Sequence, residues 1–258
     1  MANNIDPKAL ISSSAQLGDN ITIGPYAVIG DNVVLQNNIV IDGFAHVLGY
    51  TTIGKGTHIF PYAVVGNVPQ DLKYRGEETY LVIGENNLIR EFVTINPATA
   101  KGNKTVIGDG NLLMAYCHVG HDCVIGSNNI FANAATLAGH VTIEDKTVIG
   151  GLAGIHQFVK VGKYSIIGGC SKVSHDVLPF SMLDGNPGKT QGLNLVGLRR
   201  ANFSNDSVVQ LKKALDILLD KNRLLEDALR DLSNSFTDDV NVNYLIDFVR
   251  SSKRGIGR

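Results

Sequence analysis

The sequence predicts a mainly β protein: a parallel β-helix followed by a smaller α-helical part. Three observations predict it. An aliphatic residue recurs at every sixth position from Ile5 to Val173. Gly often follows that residue, as in Ile23-Gly24, Ile29-Gly30, Ile53-Gly54, Ile125-Gly126 and Val161-Gly162. Beyond Val173 the period of six stops, and apolar residues then recur at helical spacing.

The repeat carries most of the chain. Of its 29 positions, 26 are apolar: 25 are Ile, Leu or Val, and one is Phe131. The overall hydrophobic fraction of 44% would put only about 13 apolar residues there. Six residues are too many for a helical turn and too few for a hairpin. They suit a short strand plus a corner, with one inward aliphatic per strand. Three sides then close a coil of 18 residues, and coils stack at the ~4.8 Å spacing of paired strands. Ordinary antiparallel hairpins would not hold one phase over this length.

The phase breaks at Asp71, Glu77 and Lys101 and returns at Ile83 and Ile107. Loop insertions are therefore expected near 66–82 and 98–105, each replacing whole hexads. Hexads starting at 65, 83, 101, 119, 137 and 155 differ by multiples of 18 and are expected to share one face. That face holds the column His121, Gly139, Gln157 and His175, with His140 and His156 beside it and His118 at the adjoining corner. His121 and Gln157 are two coils apart, roughly 10 Å. Five of the seven histidines thus gather under two loops, as an active cleft requires.

Pro179, Pro187 and several glycines mark the linker into the C-terminal part. The expected division is 1–186 for the coil and 187–258 for the helices. Three amphipathic helices are read from Leu211/Ala214/Leu215/Leu218, Leu225/Ala228/Leu229/Leu232 and Val242/Leu245/Ile246/Val249, with Ser204 as the first N-cap. The basic tail from Arg250 is solvated or meets an acidic partner.

Composition excludes several functions. A net charge of −1 gives no field for nucleic acid. No apolar run approaches the ~20 residues of a transmembrane segment, and the start Met1-Ala2-Asn3-Asn4 is not a signal peptide. Three cysteines fit a reducing, cytoplasmic setting better than a disulfide framework. The stretch Cys117-His118-Val119-Gly120-His121-Asp122-Cys123 looks rich in metal ligands. Cys117 and Cys123 hold the fifth place of consecutive hexads, however, so they are expected on different sides, as small core residues.

Further stretches carry a resemblance: Gln70-Asp71-Leu72-Lys73-Tyr74, Ile89-Arg90-Glu91, His118 to Cys123, Leu137-Ala138-Gly139-His140-Val141, His156-Gln157-Phe158, Gly168-Gly169-Cys170, Gly185-Asn186 and Gly197-Leu198-Arg199-Arg200. The chain resembles the hexapeptide-repeat acyltransferases, and within them the UDP-N-acetylglucosamine O-acyltransferases of lipid A synthesis. The resemblance implies a left-handed coil, an exception to right-handed crossovers, and a homotrimer with clefts between subunits. It implies transfer of a 3-hydroxyacyl group from acyl carrier protein to the 3-hydroxyl of UDP-N-acetylglucosamine, with no cofactor and no metal.

Transfer from a thioester to a hydroxyl needs a base, an oxyanion donor and groups that hold both substrates. His121 is the expected base and Asp122 its orienting carboxylate. The Gly139 N–H is the expected oxyanion donor. Asp71, Lys73, His118, His140, His156, Gln157, Asn194, Arg199 and Arg200 are expected to bind substrate, the arginines at the diphosphate. Gly169 is expected to set acyl-chain length. Departures from the family pattern are Asn96-Pro97-Ala98-Thr99, where a basic residue and Gly are usual, Val196 in place of an acidic residue, and Ala201 in place of Arg. The main alternative is an N-acyltransferase acting on a UDP-aminosugar; that related family carries an extra N-terminal domain. A coenzyme A-dependent acetyltransferase, a zinc carbonic anhydrase on this fold and a purely structural solenoid are the others.

Overall fold

The computed structural model describes residues 2–257. From Asn4 to Val173 the chain winds as a parallel β-helix of mostly two-residue strands. Equivalent strands of successive coils pair side by side, giving three sheets that, with the two hairpin strands beyond the coil counted in the first, hold eleven, nine and eight strands. Asn4 pairs with Thr22, and Ile5 with Ile23, which fixes the coil at 18 residues. The inward aliphatics form one axial column of buried residues, with Ala or Cys at a second inward position, as at Ala27, Ala45, Ala63, Cys117 and Ala135. Corners are turned by a residue in the left-handed region, often Asn, as at Asn20, Asn32 and Asn38. Asn and Asp tolerate that conformation better than other side chains. A buried polar ladder lines another corner: the backbone N–H groups of Asn111, Asn129 and Thr147 each donate to the side-chain oxygen of the Asn one coil below.

The insertions change the expected faces. Val64 pairs with Thr94 and Tyr50 with Tyr80, both offset by 30 residues instead of 18. Thr94 pairs with His118, and Tyr80 with Lys104, offset by 24. The first insertion therefore adds twelve residues and the second six. Each is a whole number of hexads, so the phase of six survives both; the side shifts after the first, and because the two together make one coil it is restored by Val119. Ile83 lies on the third side, opposite Ile53 and Ile107, and not on the side of Val65 as expected. Lys101 lies in the second loop. The true column of the second side is Val65, Ile95, Val119, Leu137, Ile155 and Val173. Both loops do leave from this side. They end earlier than expected, because four-residue strands resume at Tyr80–Ile83 and Lys104–Ile107.

Beyond the coil, a hairpin of Ser181–Gly185 and Gly188–Leu193 extends the first sheet. Helices α1 (Leu195–Arg200), α2 (Asn205–Leu219), α3 (Leu225–Ser235) and α4 (Val240–Ser251) follow. The last three are those read from the spacing; α1 is additional, one and a half turns too short to show a period. Ser204 caps α2 through the Ser207 N–H. The apolar faces of α2 to α4 enclose a second core around Phe180 and Leu198. The tail is bound back to the coil: Asp176 N–H donates to the Gly255 carbonyl, Ser252 donates to the Asp176 carboxylate at 2.6 Å, and the Arg254 guanidinium donates to the Ser174 carbonyl.

Candidate active site

The corner after strand His118–Val119 holds the candidate site. Asp122 turns that corner with φ +60°, which brings its carboxylate beside its own neighbour. Asp122 Oδ2 lies 2.9 Å from His121 Nδ1. Thr99, on the second loop, donates to the same oxygen through its N–H at 3.1 Å and its hydroxyl at 2.7 Å. The Asp122 side chain is only 7% exposed. Burial alone would raise its pKa; the hydrogen bonds from His121 and then Thr99 outweigh burial and hold it below the ordinary value. An ionised carboxylate only accepts, so the bond needs a proton on His121 Nδ1; in the neutral ring Nε2 then carries the lone pair. That Nε2 lies 3.9 Å from the Asp71 carboxylate on the first loop.

The His121 ring rests on Gly139, one coil above. A Cβ built on Gly139 would come within 2.4 Å of His121 Cε1, so only Gly lets the ring occupy this place. Among the described residues, no acceptor is bonded to the Gly139 N–H. His140 packs edge-on against His121 with centroids 5.2 Å apart, stacks on Phe158, and puts Nε2 3.7 Å from Asp122 Oδ2.

A cleft of about 520 Å³ opens beside this corner. Its wall follows the second sheet upward through His118, Thr136, Gly154 and Lys172, with Gln70 and Asn96 at its lower end. His118 stands on the strand, and not at the corner as expected; its Nδ1 meets Thr94 Oγ1 at 2.7 Å. Burial, then repulsion from His121, lowers the His118 pKa. His156 and Gln157 also line the cleft. The structure therefore brings together His118, His121, Asp122, Gly139, His140, His156, Gln157 and Asp71.

It leaves the other expected residues apart. Lys73 is exposed on the loop and does not line the cleft. Asn194 is nearly buried; its carbonyl caps α1 through the Gly197 N–H, and its amide donates to the Tyr164 carbonyl. Arg199 and Arg200 sit exposed in the last turn of α1, outside the cleft of this chain. Gly169 lies at the corner before strand Lys172–Val173, where a Cβ would meet only the Gly151 carbonyl at 3.3 Å. Cleft residues that the sequence reading missed are Gln70, Asn96, Thr136, Gly154 and Lys172, with Thr99 behind Asp122. Thr136, Gly154 and Lys172 were legible in principle, since each follows His118 by whole coils.

Cys117 and Cys123 are fully buried in the core. Burial pushes their thiols up to about 11 and about 12, so neither is a ready thiolate ligand. Among the described residues, His121, Asp122 and His140 have ligand atoms within 4.8 Å of one another. Asp122 Oδ2 already accepts from Thr99 and meets His121 Nδ1.

A His–carboxylate pair on a stacked-hexad corner defines a hexapeptide-repeat transferase, and residues 104–139 match the family model described as bacterial transferase hexapeptide (six repeats). Residues 176–257 match the model described as Udp N-acetylglucosamine O-acyltransferase; Domain 2. The acyl-[acyl-carrier-protein]--UDP-N-acetylglucosamine O-acyltransferase of Aliarcobacter butzleri is 47% identical over 98% of both chains. The solved UDP-N-acetylglucosamine acyltransferase of Campylobacter jejuni superposes with a TM-score of 0.92 at 44% identity, covering 98% of this chain and 99% of that one. Its counterpart from Bacteroides fragilis gives 0.94 at 40% identity, covering 98% and 99%. The chain belongs to the UDP-N-acetylglucosamine O-acyltransferase family, and its coil is the left-handed parallel β-helix of that family. No helix among the described residues is long and apolar enough to cross a membrane.

Proposed function

We propose that this chain transfers a 3-hydroxyacyl group from acyl carrier protein to the 3-hydroxyl of UDP-N-acetylglucosamine, the first step of lipid A biosynthesis, with His121 as general base. The observation that carries the reading is the His121–Asp122 pair beside a cleft in a chain of this family, which holds the neutral ring with its proton on Nδ1 and its lone pair on Nε2. Nε2 takes the hydroxyl proton as the sugar oxygen attacks the thioester carbon. The resulting imidazolium is stabilised by Asp122. The Gly139 N–H donates to the oxyanion of the tetrahedral intermediate. The C–S bond then breaks, and the departing thiolate takes the proton back from His121. No step calls for a metal or a redox group.

His118, His140, His156, Gln157 and Asp71 hold the acceptor, and Lys73 and Asn194 stand at its margins. A cation is needed at the diphosphate, and Arg200, with Arg199, has the chemistry for it. Neither lines the cleft of its own chain, which supports supply by a second subunit of a homotrimer. Two further features support that assembly. Leu72 at the loop tip is 96% exposed. Tyr26, Phe44, Tyr62, Phe92 and Tyr116 form an exposed file of stacked rings along one corner, with centroids 4.9–5.2 Å apart. An acyl chain running up the stack would pass Gly169, where the missing side chain leaves room. The test is transfer assayed with paired substrates: hydroxyl against amino acceptors, and carrier-protein against coenzyme A donors. Turnover only with a coenzyme A donor would overturn the reading.

A further inference from the structure

Asn96 lines the lower end of the cleft beside Gln70, His118 and His121. It is 4% exposed. Strand pairing of Thr94 with His118 and of Ile95 with Val119 puts it one coil beneath Gly120, next to the catalytic corner. Its Nδ2 donates to the carbonyl oxygens of Asn67 and Val68, each at 3.0 Å, and so ties down the root of the first loop. Among the described residues its Oδ1 has no hydrogen-bond partner. The amide cannot gain by flipping, because Oδ1 would then face two carbonyl oxygens. The loop thus fixes which end of the amide remains free, and that end is a pure acceptor.

A buried acceptor without a donor is costly, and the great majority of buried polar atoms are paired. Asn96 itself lines the cleft, so the missing donor is one that enters with the substrate. This step rests on the function proposed above. With the sugar 3-hydroxyl at His121 Nε2, the groups that reach past it toward Asn96 are those on the two flanking carbons. One is the N–H of the 2-acetamido group and the other is the 4-hydroxyl. Both are donors. We propose that Asn96 is an acceptor-recognition residue, whose Oδ1 takes a hydrogen bond from the donor flanking the reacting hydroxyl. The same side chain joins the first loop to the sugar, so loop docking and acceptor binding support one another.

The experiment compares UDP-N-acetylglucosamine with two analogues: a 4-deoxy sugar, and a sugar whose 2-acetamido N–H is replaced by an ester oxygen. Transfer is measured for the wild type, Asn96→Val and Asn96→Asp. In the wild type, one analogue should lose on the order of 10-fold in kcat/KM, and its identity tells which donor Asn96 reads. In Asn96→Val that penalty should shrink to under about 2-fold, while Asn96→Asp, which keeps an acceptor but loses both donors to the loop, should show it on top of a uniform loss for every sugar. If both analogues match the parent sugar in the wild type, a water fills the site and the proposal fails. It fails equally if the penalty persists in Asn96→Val, since a loop-anchoring role alone would slow all sugars alike. Where Asn96→Val does not fold, Asn96→Ala, which also lacks the acceptor, decides: a penalty that persists there overturns the proposal. Parent-sugar turnover by the wild type tests the underlying function separately.

Discussion

Asp122 shows how one residue serves both fold and chemistry. The coil needs a left-handed residue at each corner, and Asp accepts that conformation while its short carboxylate reaches back to His121. Asp122→Asn keeps the shape, yet an amide can present N–H to Nδ1 and so unfix the tautomer. We expect kcat to fall by about 10²–10⁴-fold, the span of a general base or its support. The folded pKa of Asp122 lies below its ordinary 3.8. The unfolded chain therefore binds this proton first as pH falls. Its stabilisation is present above that value and is lost as pH drops through the lower folded one. Acid titrations of unfolding should show that component in the wild type and not in Asp122→Asn. Gly139→Ala is expected to displace the His121 ring, because a 2.4 Å approach cannot stand; kcat should fall with the far-ultraviolet circular dichroism unchanged. The His121–Gly139 column was legible because both follow the insertions at a spacing of one coil. Thr99 was not, since a loop residue reaches the site by a path that no period describes, and Asn96 was not, since the second insertion sets it 24 residues instead of 18 before Gly120.

The elements divide in the same way. Strands with unbroken spacing of 18 fell on their expected sides. Ile83 did not, because a count in sixes cannot tell one side of the triangle from the next when an insertion has its own length. The first loop still lands where its origin suggested, with Asp71 3.9 Å from His121 Nε2 of its own chain. Asp71→Ala should raise the acceptor KM more than it lowers kcat, read from steady-state kinetics on UDP-N-acetylglucosamine. Among the helices, α2 to α4 were legible from their buried stripes, and α1 was too short to announce itself. The α2 cap gives a control far from the chemistry. Ser204→Ala should cost about 1 kcal/mol of stability, read by denaturant unfolding, and leave kcat unchanged.

For the whole molecule, a single coil offers an open cleft and keeps Arg200 away from it. The account therefore needs neighbouring copies. Light scattering should find three copies of the 27.7 kDa chain, and Arg200→Ala should raise the acceptor KM by on the order of 10-fold, the worth of a charge-assisted contact. Gly169→Met should shift donor preference toward shorter acyl chains, at ~0.8 kcal/mol for each methylene no longer buried; an unchanged ranking in donor competition would remove it from the groove. The central claim is that His121 moves the proton in transfer to the sugar hydroxyl. Its most direct measurement is single-turnover transfer from 3-hydroxyacyl carrier protein to UDP-N-acetylglucosamine, by the wild type and by His121→Ala of matching assembly state. The account predicts a loss of about 10²–10⁴-fold in the chemical step with acceptor affinity largely kept. A His121→Ala enzyme that turns over at the wild-type rate would contradict it.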